Sequence, residues 1–173
     1  LTRYFYSDDI STFLKRDESS ILGLLARGNT FSLDVSQRDA WLVQIEVLKT
    51  TLSGLSHDGR LYFEYSIPRM GKRVDVILLL EGVVFVIEFK VGESDFPANA
   101  IEQVWDYALD LKNFHETSHN CTLAPVLVAT DARDSVSVVP RPDGSDGILA
   151  PICCNSKNLR HALFSTLHRS DKR

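Results

Sequence analysis

Apolar residues recur first with helical and then with strand spacing. Over 36–52, SQRDAWLVQIEVLKTTL, Trp41, Ile45, Leu48 and Leu52 fall on one helical face, and Ser36 with Asp39 suggests a capping box. This predicts an amphipathic helix. LYFEYSIP, 61–68, then alternates as a strand does and stops at Pro68, and RMGK supplies a turn. The next stretch, RVDVILLLEGVVFVIEFK at 73–90, reads as two apolar strands joined at Glu81-Gly82. Positions 76–80 and 83–87 are apolar on both faces, which places these strands in the middle of a sheet.

Helical spacing returns over 98–114, with Ile101, Val104, Ala108 and Leu111 on one stripe and Pro97 at the entrance. A strand LAPVLVAT follows, then a loop at 131–147 dense in Asp, Ser, Pro and Gly, a short strand ILAPICC, and a last helix from Asn155, a good N-cap, to His168. The predicted order is α-β-β-β-α-β with an appended β-α. A meander joined to a crossover helix implies an α/β fold, a mixed central sheet flanked by helices, within a single domain over 1–173.

Three charges interrupt the apolar hairpin: Asp75, Glu88 and Lys90. With a two-residue turn at Glu81-Gly82, Leu80 faces Val83 and Asp75 lies opposite Glu88. Directly opposed side chains have Cβ atoms about 4.5–5.5 Å apart, and like charges there repel. Compensation comes from a shared proton, a nearby cation or a divalent metal. A bulge at the turn would slip the register by one and leave the carboxylates diagonal. Lys90, two residues beyond Glu88, emerges on the same face. Two carboxylates and a lysine at a strand end suit metal-assisted phosphodiester hydrolysis. The plainer reading is a charged fringe in which Lys90 pairs with Glu88.

Composition narrows the classes. The 173 residues are 44% hydrophobic and 24% charged, the profile of a globular protein rather than a disordered one. A net charge of -4 provides no global attraction to nucleic acid, so phosphate binding requires a local basic patch. Two clusters qualify: Arg69, Lys72 and Arg73 in the turn beside Asp75, and KNLRHALFSTLHR near the end. The turn is better placed, next to the carboxylates. No window holds 18 uninterrupted apolar residues, and LTRYFYSDDI is too polar for a signal-peptide core, so a cytoplasmic protein without a membrane partner is expected. Three cysteines, two of them adjacent at Cys153 and Cys154, form neither an even disulfide framework nor a paired zinc-site spacing.

Asp75 followed by Glu88-Phe89-Lys90 resembles the signature of the PD-(D/E)xK nuclease superfamily, an Asp on one strand and E-x-K on the next, behind an N-terminal helix. Gln103 and Tyr107, four apart on one helix face, resemble the Q-x-x-x-Y of its RecB-like members. The stretches FEYSIPRMGKRVDVILLL, IEFKVGE and AIEQVWDYALDLKNFHE are similar to the N-terminal nuclease-like domain of bacterial proteins that continue into a helicase-type ATPase. The likeness spans roughly positions 1–130, and the first residue, Leu1, is consistent with a domain from a longer chain. The proline of the signature is absent: Val74 precedes Asp75.

The resemblance implies a restriction-endonuclease-like fold and a Mg2+- or Mn2+-dependent nuclease acting on nucleic acid, DNA more readily than RNA. It implies Asp75, Glu88 and the Phe89 carbonyl as metal ligands and Lys90 as the catalytic lysine. Glu46 on the first helix would be an additional acidic ligand. Gln103 and Tyr107 would contact substrate or brace the lysine, and a C-terminal helicase/ATPase domain would be covalently linked. Two rivals stand beside it. One is the same fold kept as a catalytically silent nucleic-acid-binding or docking module. The other is a zinc peptidase through HETSH at 115–119, a literal H-E-x-x-H; the polar residues there favour helix termination, and no third ligand is evident downstream.

Overall fold

The computed structural model describes residues 2–30, 32–55, 58–141 and 147–170. A short strand β1 (Tyr6–Asp9) leads into helices α1 (Ile10–Lys15), α2 (Glu18–Gly28) and α3 (Val35–Leu52). Strands β2 (Gly59–Ser66), β3 (Arg73–Leu80) and β4 (Val83–Lys90) follow, then α4 (Ala98–Phe114), β5 (Thr122–Ala129), β6 (Ser137–Val138), β7 (Ile152–Cys154) and α5 (Leu159–Ser170). They form an α/β fold around one mixed sheet of seven strands, ordered β1-β2-β3-β4-β5-β7-β6.

β1 to β4 pair antiparallel as a meander, and β4, β5 and β7 run parallel, with α4 as the crossover between β4 and β5. β6 closes the far edge antiparallel to β7. Every residue of β4 except Lys90 is buried, as expected for a strand covered on both faces. One apolar layer packs α1, α2, α3 and α5 against the sheet through Phe13, Trp41, Leu78 and Phe85. The other packs α4 against it through Val86, Val104, Ala108 and Leu127.

The structure corrects the expected elements in five places. Residues 6–28, outside the predicted order, form β1, α1 and α2, so the helix preceding the meander is the third one. α3 is capped by Asp34, whose carboxylate accepts from the Ser36 backbone N–H and hydroxyl; Ser36 already lies in the first turn and forms no capping box with Asp39. The strand expected over 148–154 shortens to Ile152–Cys154, because Pro151 has no N–H for the ladder, and Ile148 keeps an isolated bridge to Leu123. α5 begins at Leu159, with Asn155 accepting the Asn158 N–H in the turn before it. Part of the predicted 131–147 loop, residues 142–146, lies outside the described residues, and Ser137–Val138 within it forms β6.

Among the described residues no helix is long and apolar enough to cross a membrane.

Candidate active site

The turn at Glu81-Gly82 has two residues, and the β3–β4 register runs from Leu80 opposite Val83 to Val76 opposite Ile87. Both turn residues have positive φ, 47° and 77°, as a primed hairpin turn requires. Asp75 and Glu88 come immediately after the last registered pair. There the ladder stops, and a side chain takes over: Asp75 Oδ2 accepts the Phe89 backbone N–H at 2.8 Å. β4 continues to Lys90 with β5 on its other side, so its last residues remain fixed.

A second irregularity lies across β3. The β2–β3 register passes over Glu64 and Asp75, between the pairs Phe63–Val76 and Tyr65–Val74. Glu64 has φ 52°, left-handed backbone that costs a non-glycine residue about 1–3 kcal/mol. Phe63 and Val76 belong to the α3 layer, whereas Tyr65 and Val74 pack into the α4 layer. The inside–outside alternation therefore flips at this point in both strands, and the flip sets Glu64 and Asp75 beside each other at the sheet's end.

Asp75, Glu88, Phe89 and Lys90 line a cleft of about 520 Å3 together with Gln44 and the first turns of α3. Lys90 Nζ lies 3.4 Å from Glu88 Oε1 and donates to Gln103 Oε1 at 3.0 Å, and Gln103 Nε2 donates to the Tyr107 hydroxyl at 2.7 Å. Gln103 and Tyr107 thus brace the lysine from α4. Burial holds the Asp75 carboxyl well above its ordinary pKa, the Glu88 charge adds to this, and the Phe89 N–H pulls only partly the other way. Glu88 is also raised by burial, with Lys90 opposing. Two desolvated carboxylates therefore compete for one lysine.

The donor set fits a divalent cation. Glu88 and Gln44 are 6% and 3% exposed, and Glu88 Oε2 and Gln44 Oε1 are buried without a hydrogen-bond partner among the described residues. Unsatisfied buried oxygens are uncommon, and hard oxygens from carboxylates, amides and backbone carbonyls are what Mg2+ and Mn2+ take. The set is mixed: among the described residues no group of three or more His, Cys, Asp or Glu forms a cluster suited to a metal.

Glu64 and Gln44 escaped the sequence reading. Glu64 is 6% exposed, accepts from Trp41 Nε1 at 3.0 Å and pairs with Arg73 Nε at 3.3 Å, and its charge raises both Asp75 and Glu88. Its one signal was a carboxylate among the aromatic residues of LYFEYSIP. Gln44 carried a clearer one, a polar residue within the Trp41–Ile45–Leu48 stripe.

Glu46 is not brought to the cleft. At about 100° per helical residue it points roughly 200° from Gln44; it is exposed and lines a neighbouring groove with Thr130, Asp131 and Lys157. Nor do the three basic turn residues converge on the carboxylates. Lys72 pairs with Asp110 on α4 at 3.1 Å, Arg73 pairs with Glu64 and lies 4.8 Å from the Phe5 ring centre, and exposed Arg69 borders a groove beside the end of α4. Of the second basic cluster, Arg160 donates to the carbonyls of Thr51 and Ser53. HETSH also lacks the helical geometry a zinc site needs: α4 ends at Phe114, Glu116–Ser118 is a single 3-10 turn, and both ring nitrogens of His115 are engaged, by Tyr65 and by Ser118.

The raised carboxyls predict a pH effect with a definite sign. A carboxyl whose pKa is higher in the folded state makes the fold bind protons more tightly. Its penalty is absent below the ordinary values of 3.8 and 4.5 and grows as pH rises through the raised ones. The capping carboxylates Asp9, Asp17 and Asp34, with lowered pKa, act in the opposite direction, so the difference between two proteins is the informative quantity. Glu88→Gln is expected to stabilise the metal-free protein at pH 8 by about 0.5–2 kcal/mol, with the gain shrinking toward pH 4. Calorimetric melting of both proteins in EDTA across that range checks it; equal or lower stability of the variant at pH 8 would contradict the electrostatic account.

In comparisons with protein-family models, curated proteins and solved structures, nothing matches this chain.

Proposed function

We propose that the protein is a divalent-cation-dependent nuclease that hydrolyses phosphodiester bonds of nucleic acid, DNA in preference to RNA, on a restriction-endonuclease-like fold. The observation that carries this reading is the pair of orphaned buried oxygens, Glu88 Oε2 and Gln44 Oε1, in one cleft with Asp75 and a braced lysine. The order α3-β2-β3-β4-α4-β5 agrees with the PD-(D/E)xK core that the Asp75, Glu88-Phe89-Lys90 and Gln103/Tyr107 motifs resemble. By the same resemblance the chain is a module of a longer nuclease–helicase protein.

In this reading Asp75, Glu88, the Phe89 carbonyl and Gln44 hold the cation. When bound, Mg2+ or Mn2+ supplies positive charge that polarises the phosphate and acidifies the attacking water. Lys90 orients that water and offsets charge developing on the phosphate. Gln103 and Tyr107 keep Nζ at the cleft by occupying one of its three donors, and Glu64, tied to Trp41 and Arg73, adds negative potential behind Asp75.

The alternative of a catalytically silent binding or docking module draws on a specific observation: Lys72 and Arg73 are engaged with acids of the same chain, in a protein of net charge -4, which leaves less positive charge to seat a phosphodiester for cleavage. Labelled single-stranded DNA, duplex DNA and RNA, incubated with Mg2+, Mn2+ or EDTA, separate the two. Metal-dependent cleavage, fastest on DNA, is the expected result. Binding without cleavage, equally tight in EDTA, would replace the nuclease reading with the module.

A further inference from the structure

The face of the sheet covered by α4 holds a second cavity, of about 590 Å3, which shares no lining residue with the carboxylate cleft. Its apolar lining includes Ile77, Leu79 and Val84 from β3 and β4, and Leu111 from α4. Four rings make a continuous row along it. Tyr4 and Tyr62 have centroids 5.2 Å apart at 63°, Tyr62 and Tyr65 5.9 Å at 75°, and Tyr65 and His115 6.0 Å at 88°. Each meets the next near edge to face, so the row does not collapse into a stack that would leave no gap.

The polar groups are few and directional. The Tyr65 hydroxyl bonds His115 Nε2 at 3.1 Å, and His115 Nδ1 bonds Ser118 Oγ at 2.7 Å, which holds that wall of the cavity still. Arg3 is exposed at the rim; burial raises the Tyr65 pKa and lowers that of His115, and the Arg3 charge opposes the first shift and adds to the second. Among the described residues no Asp or Glu lines the cavity, in a chain that has 23 of them. The charge facing the cavity is thus a guanidinium with no lining acid, above an aromatic and aliphatic floor.

We infer that this cavity binds a planar aromatic ligand carrying one anionic group, with the ring held among Tyr4, Tyr62 and Tyr65 and the anion at Arg3. The volume falls in the range of about 300–1,000 Å3 typical of small-molecule sites, and the lining has their usual make-up, apolar with a few fixed polar groups. Aromatic edges and faces select a flat ring, and a guanidinium matches a carboxylate or a phosphate in two-point geometry. An aromatic carboxylate and a mononucleotide share this chemistry. The site stands apart from the proposed nuclease centre and does not rest on it.

Amide chemical-shift titrations with 2-naphthoate, dTMP and neutral 2-naphthalenemethanol, all in EDTA, test the assignment. At least one of the two anions is expected to shift the amides of residues 62–65, 77–79 and 115–118, and the neutral alcohol to bind at least about tenfold more weakly than that anion. Whichever of naphthoate and dTMP binds tighter names the source of the ligand. Arg3→Ala, whose backbone carbonyl still accepts the Ser66 N–H, is expected to erase the preference for the anion while leaving the rest of the spectrum in place. No shift with either anion at millimolar concentration, a neutral alcohol that binds as tightly as the tighter of the two anions, or an Arg3→Ala protein with an unchanged preference would each overturn the inference. Because EDTA is present and the cleft residues are untouched, none of these outcomes bears on cleavage.

Discussion

Lys90→Ala is expected to lower metal-dependent cleavage by about 10²–10³-fold, the usual cost of removing one group that meets charge as it develops at the reacting centre. The same substitution leaves Glu88 without the cation that opposes its raised pKa, so the residual activity should shift to higher pH. That second readout separates a lysine acting at the phosphate from one that merely completes the fold. Glu88→Ala should abolish cleavage and metal binding together. Gln44→Ala should weaken Mn2+ binding by about 10–100-fold, as a lost supporting or ligating contact does, and excess metal should restore much of the rate. Calorimetric Mn2+ titration alongside the cleavage assay reads both. Full activity in Lys90→Ala would remove the catalytic assignment, and unchanged Mn2+ affinity in Gln44→Ala would show that its orphaned oxygen has no part in holding metal.

The second large effect concerns stability and comes from Trp41. Its side chain is 1% exposed in the α3 layer, so truncation to alanine is expected to cost about 3–5 kcal/mol. For a chain of this length that is a fall in Tm of about 6–20 °C. Trp41 also holds Glu64 through Nε1, and Glu64 sits in left-handed backbone where the β2–β3 alternation flips. Trp41→Phe keeps most of the volume but removes this donor, so Glu64 Oε1 is left buried and unpaired, at a cost of about 1–3 kcal/mol. Urea unfolding of the two variants divides the total into packing and hydrogen-bond parts. A Trp41→Phe protein as stable as the parent would mean that Arg73 alone satisfies Glu64.

Much of this architecture is readable from local pattern. The hairpin register followed from a two-residue Glu-Gly turn, because the side-chain period of two leaves no freedom once the turn length is set, and Leu80 does face Val83. α3 and α4 followed from stripes of spacing three and four. Spacing put Gln103 and Tyr107 on one face of α4, whereas their bracing of Lys90 was an expectation of the Q-x-x-x-Y resemblance alone. The N-terminal strand and helices were harder. β1 has four residues and α1 six, too short for periodicity to stand out, and they are held by packing on β2 and α3.

The acidic position on α3 shows where local reading gives out. Glu46 and Gln44 lie two residues apart, and their types alone favour the carboxylate as a ligand. Which of them meets Asp75 depends on how α3 is rotated about its own axis, and that rotation is set by burying Trp41, Ile45 and Leu48 against the sheet. The same holds for Arg73 and Lys72, whose charges the sequence places beside Asp75 but whose partners, Glu64 and Asp110, come from other elements.

Composition and spacing by themselves therefore determined the α/β class, the order from α3 to β5 and the convergence of Asp75, Glu88 and Lys90 at one strand end, because turn length and side-chain period act between near neighbours. Tertiary structure decided what surrounds those three. It turned Gln44 inward, set Glu64 behind Asp75 through a break in alternation, tied up the basic turn, and opened the tyrosine-lined cavity on the opposite layer. Those outcomes rest largely on contacts distant in the chain, such as Trp41–Glu64 at 23 positions, Lys72–Asp110 at 38 and Tyr65–His115 at 50, over which local propensity has no reach.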